Sequence, residues 1–264
     1  MATLEIDGVT KVYNPDGPDG GVEAVSDVSF DVEKGQFLSI VGPTGCGKST
    51  LLKMVAGLIR PTTGTIRLDG VAVTEPADEV GIVFQEDSTF PWRTTLRNVE
   101  FGLEMRGVDR AERRERSREI IDLVGLSGFE DAYPNELSGG MRQRVAIGRT
   151  LAMNPEIMLM DEPFGALDEQ TRLILGEELL RICRETEQTT FFITHSITEA
   201  VHLSDRVLVM SARPGRIKRI VDVDLERPRK ADVVTTDRFN RIVDQIWDDL
   251  REEAEKGLEA SHRR

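Results

Sequence analysis

The stretch Gly42–Thr50, GPTGCGKST, constrains this chain more than any other. It follows the apolar run FLSIV and leads into a segment, Ser49 to Ile59, whose apolar residues recur at helical spacing. A buried strand therefore delivers the chain to a glycine loop and then a helix. Gly42, Gly45 and Gly47 let successive backbone N–H groups turn inward, while the helix N-terminus adds a positive dipole and Lys48 a full charge. The spacing G-x-x-x-x-G-K-S fits a phosphate cradle in which Lys48 reaches the β- and γ-phosphates. The Ser49 hydroxyl then meets Mg²⁺, and Thr50 supports the α/β-phosphate side. Pro43, Thr44 and Cys46 complete the loop. The motif makes no use of the Cys46 side chain, which reads as filler; a thiol beside a helix N-terminus also has a second reading, as a reactive group of lowered pKa.

The remainder of the chain supplies the sheet such a loop requires. Short alternating runs before residue 41 (LEIDGV, AVSDVSFDV), broken by the turn-rich NPDGPDGG, predict an antiparallel β region. VGIVFQ, EIMLMDEP, TTFFITH and DRVLVMS are short apolar strands, and EQTRLILGEELLRICRETE and ITEAVHLS are amphipathic helices between the later ones. Alternation of this kind predicts an α/β fold with a mostly parallel sheet and helices on both faces. Between VGIVFQ and EIMLMDEP the chain changes character, with RAERRERSREIIDLVGL carrying a charged and an apolar helical face. The expected organisation is one domain over 1–264. Its core spans 1–86 and 151–225, a helical subdomain 87–150 is inserted, and a helical tail 226–264 is anchored by Trp247.

Several function classes are disfavoured by bulk properties. A formal charge of -13 opposes generic attraction to nucleic acid or anionic lipid, and no apolar run has the ~18 residues of a membrane helix. The N-terminus reads as a first strand and not as a signal peptide, so a cytoplasmic location is expected. Cys46 and Cys183 form no disulfide framework and lie in no metal-binding pattern with His.

Four further positions suit phosphate chemistry. IMLMDEP ends an apolar strand in two carboxylates: Asp161 fits a ligand of hydrated Mg²⁺, and Glu162 a general base that accepts a proton from attacking water. Gln85, after VGIVF, is placed to touch the metal or that water. His195, after FFIT, is placed to hydrogen-bond the γ-phosphate. His202 and His262 receive no role.

LSGGMRQR, from residue 137, is a second glycine turn before a helix, but without a Gly-Lys-Ser it makes only half a site. Ser138 reads as an N-cap whose hydroxyl, with the N–H groups of Gly139 and Gly140, contacts a γ-phosphate held elsewhere. This combination resembles the ATP-binding cassette family over nearly the whole chain. GPTGCGKST looks like its Walker A, Gln85 its Q-loop, LSGGMRQR its signature, IMLMDEP its Walker B, GALD its D-loop and His195 its switch histidine. Tyr13 in KVYNP falls where the family stacks an aromatic ring on adenine. The resemblance implies a head-to-tail pair of copies sandwiching two ATP molecules, each between Walker A of one and the signature of the other, with Asp168 at the interface.

FPWRTTLRNVEFGLEMRG, LSGGMRQRVAIGR, MDEPFGALDEQTR and ARPGRI look like importer ATPases for nitrate, sulfonate, taurine and related compounds. Those importers usually carry Asp after the switch histidine, where this chain has Ser196. The short tail past ARPGRI implies that the C-terminal regulatory domain of sugar-importer relatives is missing. By this resemblance the chain is a peripheral subunit on the cytoplasmic side of the membrane. It is held by integral permease subunits, served indirectly by an external substrate-binding protein, and has no nucleic-acid partner. A soluble cassette ATPase acting on DNA ends or ribosomes is the alternative; its usual long coiled coil, paired cassettes or basic arms are not seen here. A P-loop kinase would leave the signature without a use.

Overall fold

The computed structural model describes residues 2–15, 17, 21–85, 88–165 and 167–262. Along the chain run β1 (Ala2–Tyr13), β2 (Val22–Glu33), β3 (Phe37–Val41), α1 (Lys48–Val55), β4 (Thr63–Leu68), β5 (Val71–Ala72) and β6 (Val80–Val83). Next come α2 (Thr95–Val99), α3 (Phe101–Met105), α4 (Arg110–Leu123), α5 (Gly139–Leu151), β7 (Ile157–Asp161) and α6 (Glu169–Glu185). The chain closes with β8 (Thr189–Ile193), α7 (Ile197–Leu203), β9 (Arg206–Met210), β10 (Ile217–Asp222) and α8 (Asp237–His262). These elements form two compact units, Met1–Ala77 with Thr189–Arg264, and Asp78–Gln188.

In the first unit β2, β1, β4 and β5 form an antiparallel sheet in that order, as the alternating N-terminal runs predict. Half of the turn expected over 14–21, residues 16 and 18–20, lies outside the described residues. β3 pairs in parallel with β8 and β9, and β10 joins β9 antiparallel. Every residue of β3 and β8 is buried, which explains why both read as unbroken apolar or β-branched runs. Helix α1 stops at Val55, short of the expected Ile59. Gly57 takes a left-handed φ of 70°, and a Cβ there would lie 2.2 Å from the Glu75 carbonyl oxygen.

The second unit holds the parallel pair β6–β7 and the helices α2 to α6. The helices expected within 87–150 are α2 to α5, and residues 86 and 87 at the expected boundary lie outside the described residues. Asp109 begins α4 by accepting the Ala111 N–H at 2.8 Å, an N-cap that satisfies one of the donors a helix start leaves open. Fully buried Asn98 accepts the Phe90 N–H at 2.8 Å and donates to the carbonyls of Phe90, Arg93 and Thr94, which fixes the path of FPWRT before α2.

The C-terminal tail belongs to the core of the first unit. Phe239, Ile242 and Ile246 of α8 are buried with Val207, Val209 and Val221. Arg229, 4% exposed, donates to the carbonyls of Val201, His202, Ser204, Val223 and Leu225; burial lowers its pKa to about 10. Trp247 is not the anchor of the tail, for it is 57% exposed. The apolar stripe runs 239, 242, 246, 250, and one step of about 100° beyond Ile246 turns the indole out of it. Replacing Ile246 by Ala is therefore expected to cost ~2–5 kcal/mol in urea unfolding, against less than ~0.5 kcal/mol for Trp247→Ala. Equal losses would return the anchoring role to the tryptophan.

Candidate functional site

The glycine loop connects β3 to α1 in the first unit. Gly45 and Gly47 adopt φ values of 78° and 107°, a region that side chains with a Cβ rarely enter. Gly47 is also constrained by space, because a Cβ there would stand 2.7 Å from the Ala24 carbonyl oxygen. Lys48 is only 7% exposed, and its Nζ donates back to the carbonyls of Gly42 at 2.8 Å and Pro43 at 3.2 Å. An ammonium folded into a ring of its own backbone, beside a helix N-terminus, is the donor set an anionic phosphate requires. Thr44, Gly45 and Ser49 are exposed at the loop surface.

Cys46 is buried, and burial pushes its thiol pKa up despite the lowering effect of Lys48. The filler reading holds over the reactive one, because desolvation of the thiolate outweighs the nearby charge.

Tyr13, at the end of β1, places its hydroxyl 3.5 Å from Thr50 Oγ1, and the ring is 38% exposed. The first unit thus brings Tyr13 to the helix that carries the loop. His195 follows the end of β8, in the same unit. The preceding Thr194 N–H donates to Ile40 O at 3.2 Å, so the exposed His195 leaves β8 beside the end of β3, from which Gly42 follows. Ser196 is the N-cap of α7 and accepts the Glu199 N–H at 3.3 Å. A serine serves this capping role about as well as an aspartate, without the charge. Buried Thr194 and Glu199, which sequence reasoning passed over, share a hydrogen bond, and Thr194 Oγ1 accepts the Ser196 N–H at 3.0 Å. Only the S-x-x-E spacing after the histidine hinted at them.

The second unit gathers the other candidates. β6 and β7 run parallel with Val83 opposite Met160, so Gln85 follows the end of one strand, while Asp161 ends the other and Glu162 follows it. Glu162 has a left-handed φ of 49°, a strained conformation for a residue with a side chain, and its carbonyl accepts the Gly165 N–H at 3.0 Å. A Cβ on Gly165 would lie 3.5 Å from Gln85 Nε2 and 3.3 Å from Glu162 O, so the glutamine lies along the turn that Glu162 opens.

Ser138 caps α5, its hydroxyl accepting the Met141 N–H at 3.3 Å. The first N–H groups of a helix have no intrahelical acceptor, and here they begin with Gly139 and Gly140 behind an exposed Ser138. Gly140 serves packing as well, since a Cβ would come within 3.2 Å of Leu175 on α6. Asp168 caps α6, accepting the Thr171 N–H at 2.9 Å and its hydroxyl at 2.7 Å, and these bonds hold its carboxyl below the usual carboxylate range. Ala166 of GALD lies outside the described residues.

A buried lysine under a glycine loop, entered from an apolar parallel strand, defines the class of P-loop nucleotide-binding proteins. The chain belongs to the ABC transporter family, whose pattern residues 25–165 match, and is one of its ATP-binding, ATP-hydrolysing subunits. It is 51% identical over 255 residues to an uncharacterized ABC transporter ATP-binding protein of Methanocaldococcus jannaschii, covering 97% of this chain and 94% of that one. It is 52% identical over 206 residues to the taurine import ATP-binding protein TauB of Rhizobium johnstonii, with 78% and 79% covered. It is 48% identical over 222 residues to the nitrate import ATP-binding protein NrtD of Synechocystis sp., with 84% and 83% covered. Among solved structures it resembles a dimeric, post-hydrolysis state of the ATP-binding cassette MJ0796 bound to ADP and Pi, with TM-score 0.71, 32% identity, and 84% of this chain and all of that one covered.

The burial of Cys46 sets an expectation for thiol chemistry. N-ethylmaleimide at neutral pH is expected to label it at least about tenfold more slowly in the folded chain than in urea, read by mass spectrometry. Equal rates would show an accessible thiol.

Proposed function

We propose that this chain energises an importer for nitrate, sulfonate, taurine or a related small anion, coupling ATP hydrolysis to movement of permease subunits. The observation that carries the nucleotide chemistry is the loop itself, with Lys48 buried in a loop whose Gly42 and Gly47 leave no room for a Cβ. The importer class is supported by the taurine and nitrate relatives and by the stretches from FPWRTTLRNVEFGLEMRG to ARPGRI. The acidic charge opposes a nucleic-acid role.

In this reading Gly42, Pro43, Thr44, Gly45, Cys46, Gly47, Lys48, Ser49 and Thr50 hold the phosphates and Tyr13 takes the adenine ring. Hydroxyl, amide and carboxylate oxygens are the hard donors that suit Mg²⁺, so Ser49, Gln85 and Asp161 would hold the ion. When bound, Mg²⁺ neutralises charge on the phosphates. Glu162 accepts the proton of the attacking water, Gln85 orients that water, and His195 donates to the γ-phosphate. Ser138, Gly139 and Gly140 act on the nucleotide held by a second copy, with Asp168 at the interface between copies.

The whole chain acts as one ATP-binding domain on the cytoplasmic side of the membrane. Among the described residues no helix is long and apolar enough to cross it, so attachment falls to the permease, and an external binding protein delivers the anion.

Two measurements test these roles. Glu162→Gln is expected to keep ATP affinity, lower kcat by ~10²–10⁴-fold and leave an ATP-dependent dimer that persists in size-exclusion chromatography; unchanged turnover would remove the base assignment. Ser138→Arg and Lys48→Ala chains are each expected to be inactive alone, and mixing them to restore turnover through a hybrid dimer with one intact site. No recovery on mixing would count against action between copies.

A further inference from the structure

The phosphate loop is backed by a turn from far along the chain. A Cβ on Gly42 would stand 3.0 Å from Met210 Cβ and 3.2 Å from Met210 O, so the end of β9 lies against the start of the loop. Gly215 is closer still. A Cβ on it would fall 2.0 Å from the carbonyl oxygen of Cys46 and 2.6 Å from Met210 Cε. The methionine tip can move aside, but a loop carbonyl moves only with the loop. Space, and not a left-handed φ, demands glycine here.

Gly215 is itself pinned. Its N–H donates to Ala24 O and its carbonyl accepts the Ser26 N–H, both at 3.0 Å. The same Ala24 carbonyl is the one that excludes a Cβ from Gly47. Ala24 and Gly215 together therefore support the Cys46–Gly47 part of the loop. The turn is closed by Ser211 N–H to Arg216 O at 2.9 Å and Arg216 N–H to Ser211 Oγ at 3.0 Å. Beyond it, the Ala212 N–H donates to Glu253 Oε2 at 3.0 Å, a carboxylate on α8 that is 6% exposed. Lys218 Nζ stands 3.1 Å from the other oxygen of Glu253 and 2.6 Å from Glu252, so the buried Glu253 carboxylate has a cation beside it.

We propose that Gly215 and Glu253 are positioning residues of the phosphate loop: the 211–216 turn, anchored to α8 through Glu253, rests on the Cys46 carbonyl and holds the loop in its phosphate-binding shape. The proposal rests on the reading of Gly42–Thr50 as the ATP phosphate site. A loop rich in glycine loses much conformational freedom on ordering, and a rigid backing removes part of that cost before the nucleotide arrives. The C-terminal helix thereby becomes a determinant of ATP affinity without touching the nucleotide.

The test measures binding of AMP-PNP with Mg²⁺ to the full chain by calorimetry, at a temperature where circular dichroism shows every variant folded. Gly215→Ala displaces a backbone on the order of 1 Å and is expected to weaken binding by ~10–100-fold. Glu253→Ala removes one hydrogen bond and is expected to weaken it by ~3–10-fold. Glu253→Gln keeps an acceptor for Ala212 while Lys218 retains Glu252, and is expected to stay within about twofold of the unaltered chain. A purely structural role would lower Tm and leave affinity unchanged; such a result in Gly215→Ala and Glu253→Ala overturns the proposal. If Gly215→Ala does not fold, the Glu253 pair decides, with equal affinity for the Ala and Gln variants the overturning result. Lys48→Ala separates the two levels. Its loss of binding upholds the site whatever the other variants do, and retained binding overturns the site reading and the proposal together.

Discussion

The buried ammonium of Lys48 is the contact on which the shape of the glycine loop depends. Removing a full charge from water is costly unless polar groups meet it, and here the carbonyls of Gly42 and Pro43 do so. That contact requires the loop to bend back over its own lysine, which in turn requires glycine where Cys46, Met210, Ala24 and Val25 leave no room for a Cβ. An apolar strand before the loop and a helix after it are the remaining conditions, and β3 and α1 meet them. Anion affinity follows from the geometry, because the arrangement that satisfies the lysine also concentrates positive potential at the mouth of the loop.

The second unit works by different means. Ser138, Asp168 and the strained Glu162 sit at element ends, where backbone groups lack partners or the chain changes direction. Element ends of this kind are readable from sequence, since a capping residue, a glycine pair and an apolar strand that stops at two carboxylates each leave a local mark. The same holds for Ser196, whose role as the α7 cap gives a physical reason for a side chain that departs from the usual aspartate.

Less legible were the features that depend on distant contacts. The strand IKRIVD alternates only weakly, and its place beside β9 was not evident until the pairing was seen. Trp247, the most apolar-looking residue of the tail, faces outward because helical phase and not residue size decides which side chains meet the core. Arg229 reads as one more charge in ERPRK, yet it closes five carbonyls around the end of α7 and the segment after β10. Gly215, in ARPGRI, gave no sign that it lies on the phosphate loop.

The amino-acid sequence by itself determined the class of the chain: a phosphate loop, an apolar strand that stops at two carboxylates, a second glycine turn before a helix, and the α/β order of elements around them. These are properties of contiguous residues, where spacing fixes geometry through the repeat of a helix or strand. Only the tertiary structure decided what supports the loop, which face of α8 is buried, and that Tyr13 lies beside Thr50. Such contacts join residues far apart in the chain, and short-range periodicity carries no information about them.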